Sequence, residues 1–254
     1  MSALPYTGSD VREVLRTVGR MLLFQDAKPD MRRHAPLYLA VGLVSSWLAG
    51  IGRYWDHPRA EWWQVCGLGS VAYVFVLAGL LFLLLWPLRP QNWSYPNVLT
   101  FVGLTAPPGL LYAIPIERIL PMATAQVVHF WFLAIVATWR VALYARFLKR
   151  SARLPGEVTA VALLLPLCLI IATLTVLNLD KAVFRIMAGV DKAPTVGDFN
   201  YFVLAILTGL SVYVVPVLFV AYLVMVWERR KAITPPPEAP EGDSTEDAES
   251  LKRQ

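Results

Sequence analysis

The sequence predicts an all-α integral membrane protein: a bundle of about six transmembrane helices with an N-terminal interfacial amphipathic helix and a disordered C-terminal tail. Three observations predict it. Of 254 residues, 57% are hydrophobic and only 16% are charged, whereas about a quarter of a soluble domain is charged. Apolar runs long enough to cross a ~30 Å hydrocarbon core recur along the chain. The gaps between these runs are alternately basic and charge-balanced, the asymmetry that orients helices in a bilayer.

The N-terminal segment, residues 1–34, opens with a helix expected over 10–24. Val11, Val14, Leu15, Val18 and Leu22 recur at helical spacing, while Arg12, Arg16 and Arg20 fall on another face. Asp10 with Glu13 three residues later is a capping pattern for its start. Such a helix is too short and too charged to span. It is expected either in the cytoplasmic interface, with its arginines among lipid phosphates, or packed on other protein.

The transmembrane domain, residues 35–228, contains spans expected at 36–52, 65–87, 97–116, 122–146, 157–178 and 200–227. Trp55, Trp62 and Trp63 mark one interface; Trp86, Trp93 and Tyr95 mark the other. In the first span Gly42, Ser46 and Gly50 place small residues every four positions, which permits close packing or dimerisation. In the third, Pro107-Pro108 leave open whether the segment crosses or re-enters. No Pro or Gly falls between Ala123 and Leu154, so the fourth span is expected to run on into the cytoplasm. That extension carries Arg146, Lys149, Arg150 and Arg153 towards head groups. A short interfacial helix is expected at 179–190, and from 229 the chain becomes a Pro-rich, acidic tail too polar to fold.

With six spans, one side receives fourteen bases and the other six bases balanced by six acids. The basic side is expected in the cytoplasm, with both termini, in a bacterial cytoplasmic membrane. The +5 net charge hides a tail of six acids and two bases, which leaves +9 on residues 1–231. In so apolar a chain that charge points to anionic lipid and away from nucleic acid.

No carboxylate lies near the centre of an expected span, where ion-coupled transporters usually keep one. Pro107, Pro108, Pro166 and Pro216 all fall about ten residues from the basic side, predicting helix kinks at one depth. His129 and Arg140 are the polar residues of the fourth span, expected as a packing histidine and an interfacial anchor. Glu117-Arg118 would pair at the outer mouth. The sequence contains no HExxH, GxSxG or GxxxxGK[ST] motif and no metal-ligand spacing; Cys66 and Cys168 lie in apolar runs. Neither a catalytic residue nor a cofactor is assigned.

The leading functional expectation is therefore a non-enzymatic scaffold or accessory subunit, partnered by anionic lipid and by a membrane or cytoplasmic protein. A small transporter or lipid-handling protein using the proline-kinked helices is the alternative. An intramembrane enzyme around His129 and Glu117 ranks third. The residues name no small-molecule substrate.

Overall fold

The computed structural model describes residues 6–27, 29–54, 61–114, 116, 119–177 and 199–231. Among these the chain is helical throughout, with no strand: α1 Gly8–Leu22, α2 Met31–Tyr54, α3 Trp62–Val65, α4 Leu68–Leu85, α5 Tyr95–Leu104, α6 Met122–Arg150, α7 Gly156–Val176 and α8 Phe199–Lys231. Five helical segments are long and apolar enough to cross a membrane: Arg33–Gly52, Leu68–Leu88, Phe130–Arg150, Gly156–Val176 and Ala205–Lys231. The expected interfacial helix at 179–190 and the tail from 232 lie outside the described residues.

The third expected span is the exception. Instead of one helix over 97–116, α5 stops after ten residues, and a seven-residue 3-10 stretch, Pro107–Ala113, follows. Pro107 and Pro108 lack the N–H groups that would bond the carbonyls of Gly103 and Leu104, and each ring clashes with the preceding turn. The ladder accordingly tightens, with Ala106 N–H on Gly103 O and Gly109 N–H on Ala106 O.

Pro166 and Pro216 leave α7 and α8 uninterrupted. Pro166 is fully buried, and the carbonyl its ring orphans, that of Ala162, accepts a hydrogen bond from the Tyr144 hydroxyl of α6 at 3.1 Å. Pro216 lies on the exposed side of α8.

α2 is the central element, touching α1, α3, α4, α5 and the 3-10 stretch; α4 packs on α5 and α7, α6 on α7, and α7 on α8. The stripe His34, Tyr38, Gly42, Ser46, Gly50 recurs every four residues and is buried along its whole length. Gly42 meets Gly103 so closely that a Cβ would stand 2.6 Å from the Gly103 carbonyl carbon. Ser46 donates to Ser70 O at 2.9 Å, and Gly50 abuts Ser70 and Gly67. Gly67 needs its left-handed φ of 67° to leave the α3–α4 turn against Trp47 O. The small-residue stripe is thus consumed inside the molecule, on α5 and α4.

The main apolar core sits towards one end. Leu81, Leu85 and Leu88 meet Val98, Phe101 and Val102 of α5, Leu143 and Leu148 of α6, and Val158, Val161 and Leu165 of α7. Phe101 and Phe147 stack at 4.0 Å between centroids, with Trp93 and Tyr144 against them. Arg33, Arg89, Arg146, Arg150, Arg229 and Arg230 belong to the helix termini and turns at this end, hereafter the basic end. Gln91 N–H on Ala152 O and Arg229 on Leu88 O tie those turns together.

Two outcomes follow. Tyr144→Phe should cost about 1–2 kcal/mol by stranding the Ala162 carbonyl, and only a few tenths in a Pro166→Ala background, where the helix supplies its own donor. Equilibrium unfolding in bicelles, run as a double-mutant cycle, measures the difference. Gly42→Val should destabilise by about 1–3 kcal/mol through overpacking; an unchanged unfolding midpoint would contradict the α2–α5 contact.

Candidate functional site

The densest polar arrangement among the described residues holds α1 across the basic end. It has two parts, one at each end of α1.

At its start, Thr7 and not Asp10 caps the helix, so α1 begins at Gly8, two residues before the expected start. Asp10 becomes the third helical residue, free to turn back and to reach α2. Its Oδ2 accepts from the Thr7 N–H at 2.8 Å and the Thr7 hydroxyl at 2.7 Å. Its Oδ1 accepts from Arg33 and from His34 Nε2, both at 3.2 Å. A carboxylate only accepts, so the His34 proton on that side sits on Nε2. His34 is 2% exposed, and its Nδ1 has no hydrogen-bond partner among the described residues. The Thr7 side chain and then the Thr7 N–H, with smaller help from His34 and Arg33, outweigh burial and draw the Asp10 carboxyl down from 3.8 to about 2.

Between the ends, Val14 and Val18 close a small cluster with Tyr38 and with Leu104, the last residue of α5. α1 therefore covers the point where α5 ends and the 3-10 stretch begins.

At the far end, Gln25 N–H bonds Arg20 O while Phe24 takes a left-handed φ of 57°, the terminating geometry usually given to Gly. Trp139 Nε1 donates to Leu22 O at 2.8 Å, and Arg146 to Gln25 O at 2.8 Å. Asp26 takes Arg146 at 3.0 Å and also pairs with Arg150. These arginines, Arg150 first, lower the Asp26 pKa. Asp26 stays exposed, so each pair is worth little by itself; the backbone bonds around it give the junction its geometry.

The expected site residues divide accordingly. Arg12, Arg16 and Arg20 lie on the exposed face of α1; Lys149, in the last turn of α6, and Arg153, just beyond it, are exposed. Arg146 and Arg150, expected among head groups, are engaged with residues 25–26. Arg140, expected to snorkel as an anchor, lies over the Tyr73 ring of α4 at 5.6 Å, a contact worth about 0.5–2 kcal/mol. His129 belongs to α6, but its side chain, like Glu117 and Arg118, lies outside the described residues.

Sequence reasoning missed His34, Arg33, Tyr38 and Asp26. For the first and third a signal existed: extending the Gly42-Ser46-Gly50 stripe two turns back lands on Tyr38 and His34. Asp26 carried none, because its arginines are more than a hundred residues away. The arrangement holds a helix, fixes its rotation and couples α2 to α6. Among the described residues, no group of three His, Cys, Asp or Glu could hold a metal ion. No family model, curated protein or solved structure matches the chain.

The Asp10 contacts carry a pH signature. A carboxyl whose folded pKa is depressed stabilises above its unfolded value and loses that contribution as pH falls through the folded one. Protection of α1 against limited proteolysis should therefore hold from pH 7 to 4 and decline between about 4 and 2. Asp10→Asn should lower protection at neutral pH and flatten that decline; a decline as steep as in the parent would remove Asp10 as its cause.

Proposed function

We propose that the chain is a multi-pass protein of a bacterial cytoplasmic membrane, with both termini in the cytoplasm, acting as a non-enzymatic scaffold or accessory subunit. The observation that carries this reading is α1, strapped at both ends across α2 and α6. The polar side chains of the basic end are spent on holding that helix and on helix ends, which suits a platform better than a reaction centre. Five apolar helices support membrane residence. In this reading α5 with Pro107–Ala113 completes a sixth crossing as a broken helix, and the basic end faces the cytoplasm by the positive-inside rule.

The expected outcome is a protein partner co-purifying in fixed stoichiometry after mild solubilisation, lost when Asp10 and Asp26 are both replaced by Ala. Repeated recovery of the chain alone, with or without residues 232–254, would sink the scaffold reading.

A second reading, a small transporter or lipid-handling protein, is favoured by the break at Thr105–Ala106, since discontinuous helices expose backbone groups at depth. Restoring the helix with Pro107→Ala and Pro108→Ala should then reduce flux at least tenfold while insertion survives. Unchanged flux of candidate solutes in reconstituted vesicles rejects it.

A further inference from the structure

We infer that α1 is an anionic-lipid-reading element whose rotational setting is fixed by its two clasps. The inference rests on membrane residence as proposed above, and on neither functional reading. At ~100° per residue, α1 presents three successive faces. One, with Asp10, Val14 and Val18, is buried on α2 and α5. The next is apolar yet open: Val11 is 41% and Leu15 52% exposed. The third carries Arg12, Arg16 and Arg20, all exposed.

A helix with one face on protein needs only two faces to be soluble. A third that is apolar and uncovered, between the protein face and a row of arginines, has the order met at a bilayer surface: protein, acyl chain, head group. The position agrees. Leu22 O is held by Trp139, an aromatic residue of the kind found at interfaces, and the neighbouring turn Leu23-Phe24 is also exposed and apolar. Guanidinium groups pair with phosphate oxygens through two parallel N–H bonds, so the chemistry selected is a phosphate-bearing anionic head group.

The structure also separates readers from holders. Arg12, Arg16 and Arg20 point outward, whereas Arg146 and Arg150 are engaged with Gln25 and Asp26. Charge counting treats all five alike; the geometry assigns lipid selection to the first three. Asp10 and His34 act as positioning residues, since they set which side of α1 meets the bilayer.

The test uses the full chain in nanodiscs of phosphatidylcholine with 30% phosphatidylglycerol, reading by native mass spectrometry which lipids stay bound on release. Each arginine beside an anionic surface favours it by about fivefold. Retained phosphatidylglycerol should therefore reach about two to three times its bulk share in the parent, return to the bulk share in Arg12→Gln/Arg16→Gln/Arg20→Gln, and stay enriched in the corresponding triple Lys variant. Arg146→Gln/Arg150→Gln should keep the enrichment. Enrichment that survives the triple Gln change overturns the inference. So does enrichment abolished by millimolar inorganic phosphate, which assigns the site to free phosphate, or enrichment that appears only when residues 232–254 are removed, which assigns the arginines to the chain's own acidic tail. Equal recovery of every variant in the disc fraction separates this outcome from failure of membrane residence.

Discussion

A carbonyl that loses its helical N–H donor in apolar surroundings must find another donor, and this requirement organises the molecule. Several of the helix ends and one proline site are met by a side chain from another element. Tyr144 serves Ala162 O opposite Pro166, and Tyr222 serves Leu84 O in the last turn of α4. Trp139 serves Leu22 O, and Trp47 serves Cys66 O. Arg229 completes the set at Leu88 O, beside the turn that contains Pro87. Between helices in lipid no hydrophobic effect drives association, so close packing and such donors carry the specificity.

From that requirement follows the distribution of aromatics. Tyr and Trp combine a large apolar body with one polar tip, so a single residue can fill core volume and satisfy a carbonyl. Tyr144 does both, stacking with Phe101 while its hydroxyl reaches α7. The core is accordingly thickest at the basic end, where most of these donors lie. The glycines act in the opposite sense: at Gly42 and Gly103 the absence of side chains lets two backbones touch.

α1 extends the same logic outside the spans. Its docking is polar at both ends and apolar between, so orientation and rotation are set by different groups. Asp10 meets α2 and Leu22 meets α6, while Val14 and Val18 fill the space over Leu104. A helix held in this way cannot roll to bury Val11 and Leu15 against the bundle without breaking the Asp10 contacts. Its basic face is therefore a property of the folded molecule and not of the helix alone.

The helical class and five long apolar segments among the six expected spans were legible in sequence, as was a disturbance at Pro107-Pro108, expected there as a kink. They depend on period, length and missing N–H groups, which are local. The start of α1 was misplaced by two residues because Asp10 offers the same capping chemistry as Thr7, and only its bonds to Arg33 and His34 decide between them. Whether the Gly42-Ser46-Gly50 stripe packs within the chain, whether Arg146 and Arg150 meet lipid or Asp26, and who satisfies the Ala162 carbonyl were tertiary decisions. Each joins groups on different helices, and hydropathy constrains how deep a residue lies far more tightly than which neighbour it faces. The sequence by itself determined which segments suit a bilayer; the tertiary structure alone decided how the groups that bilayer cannot satisfy find one another.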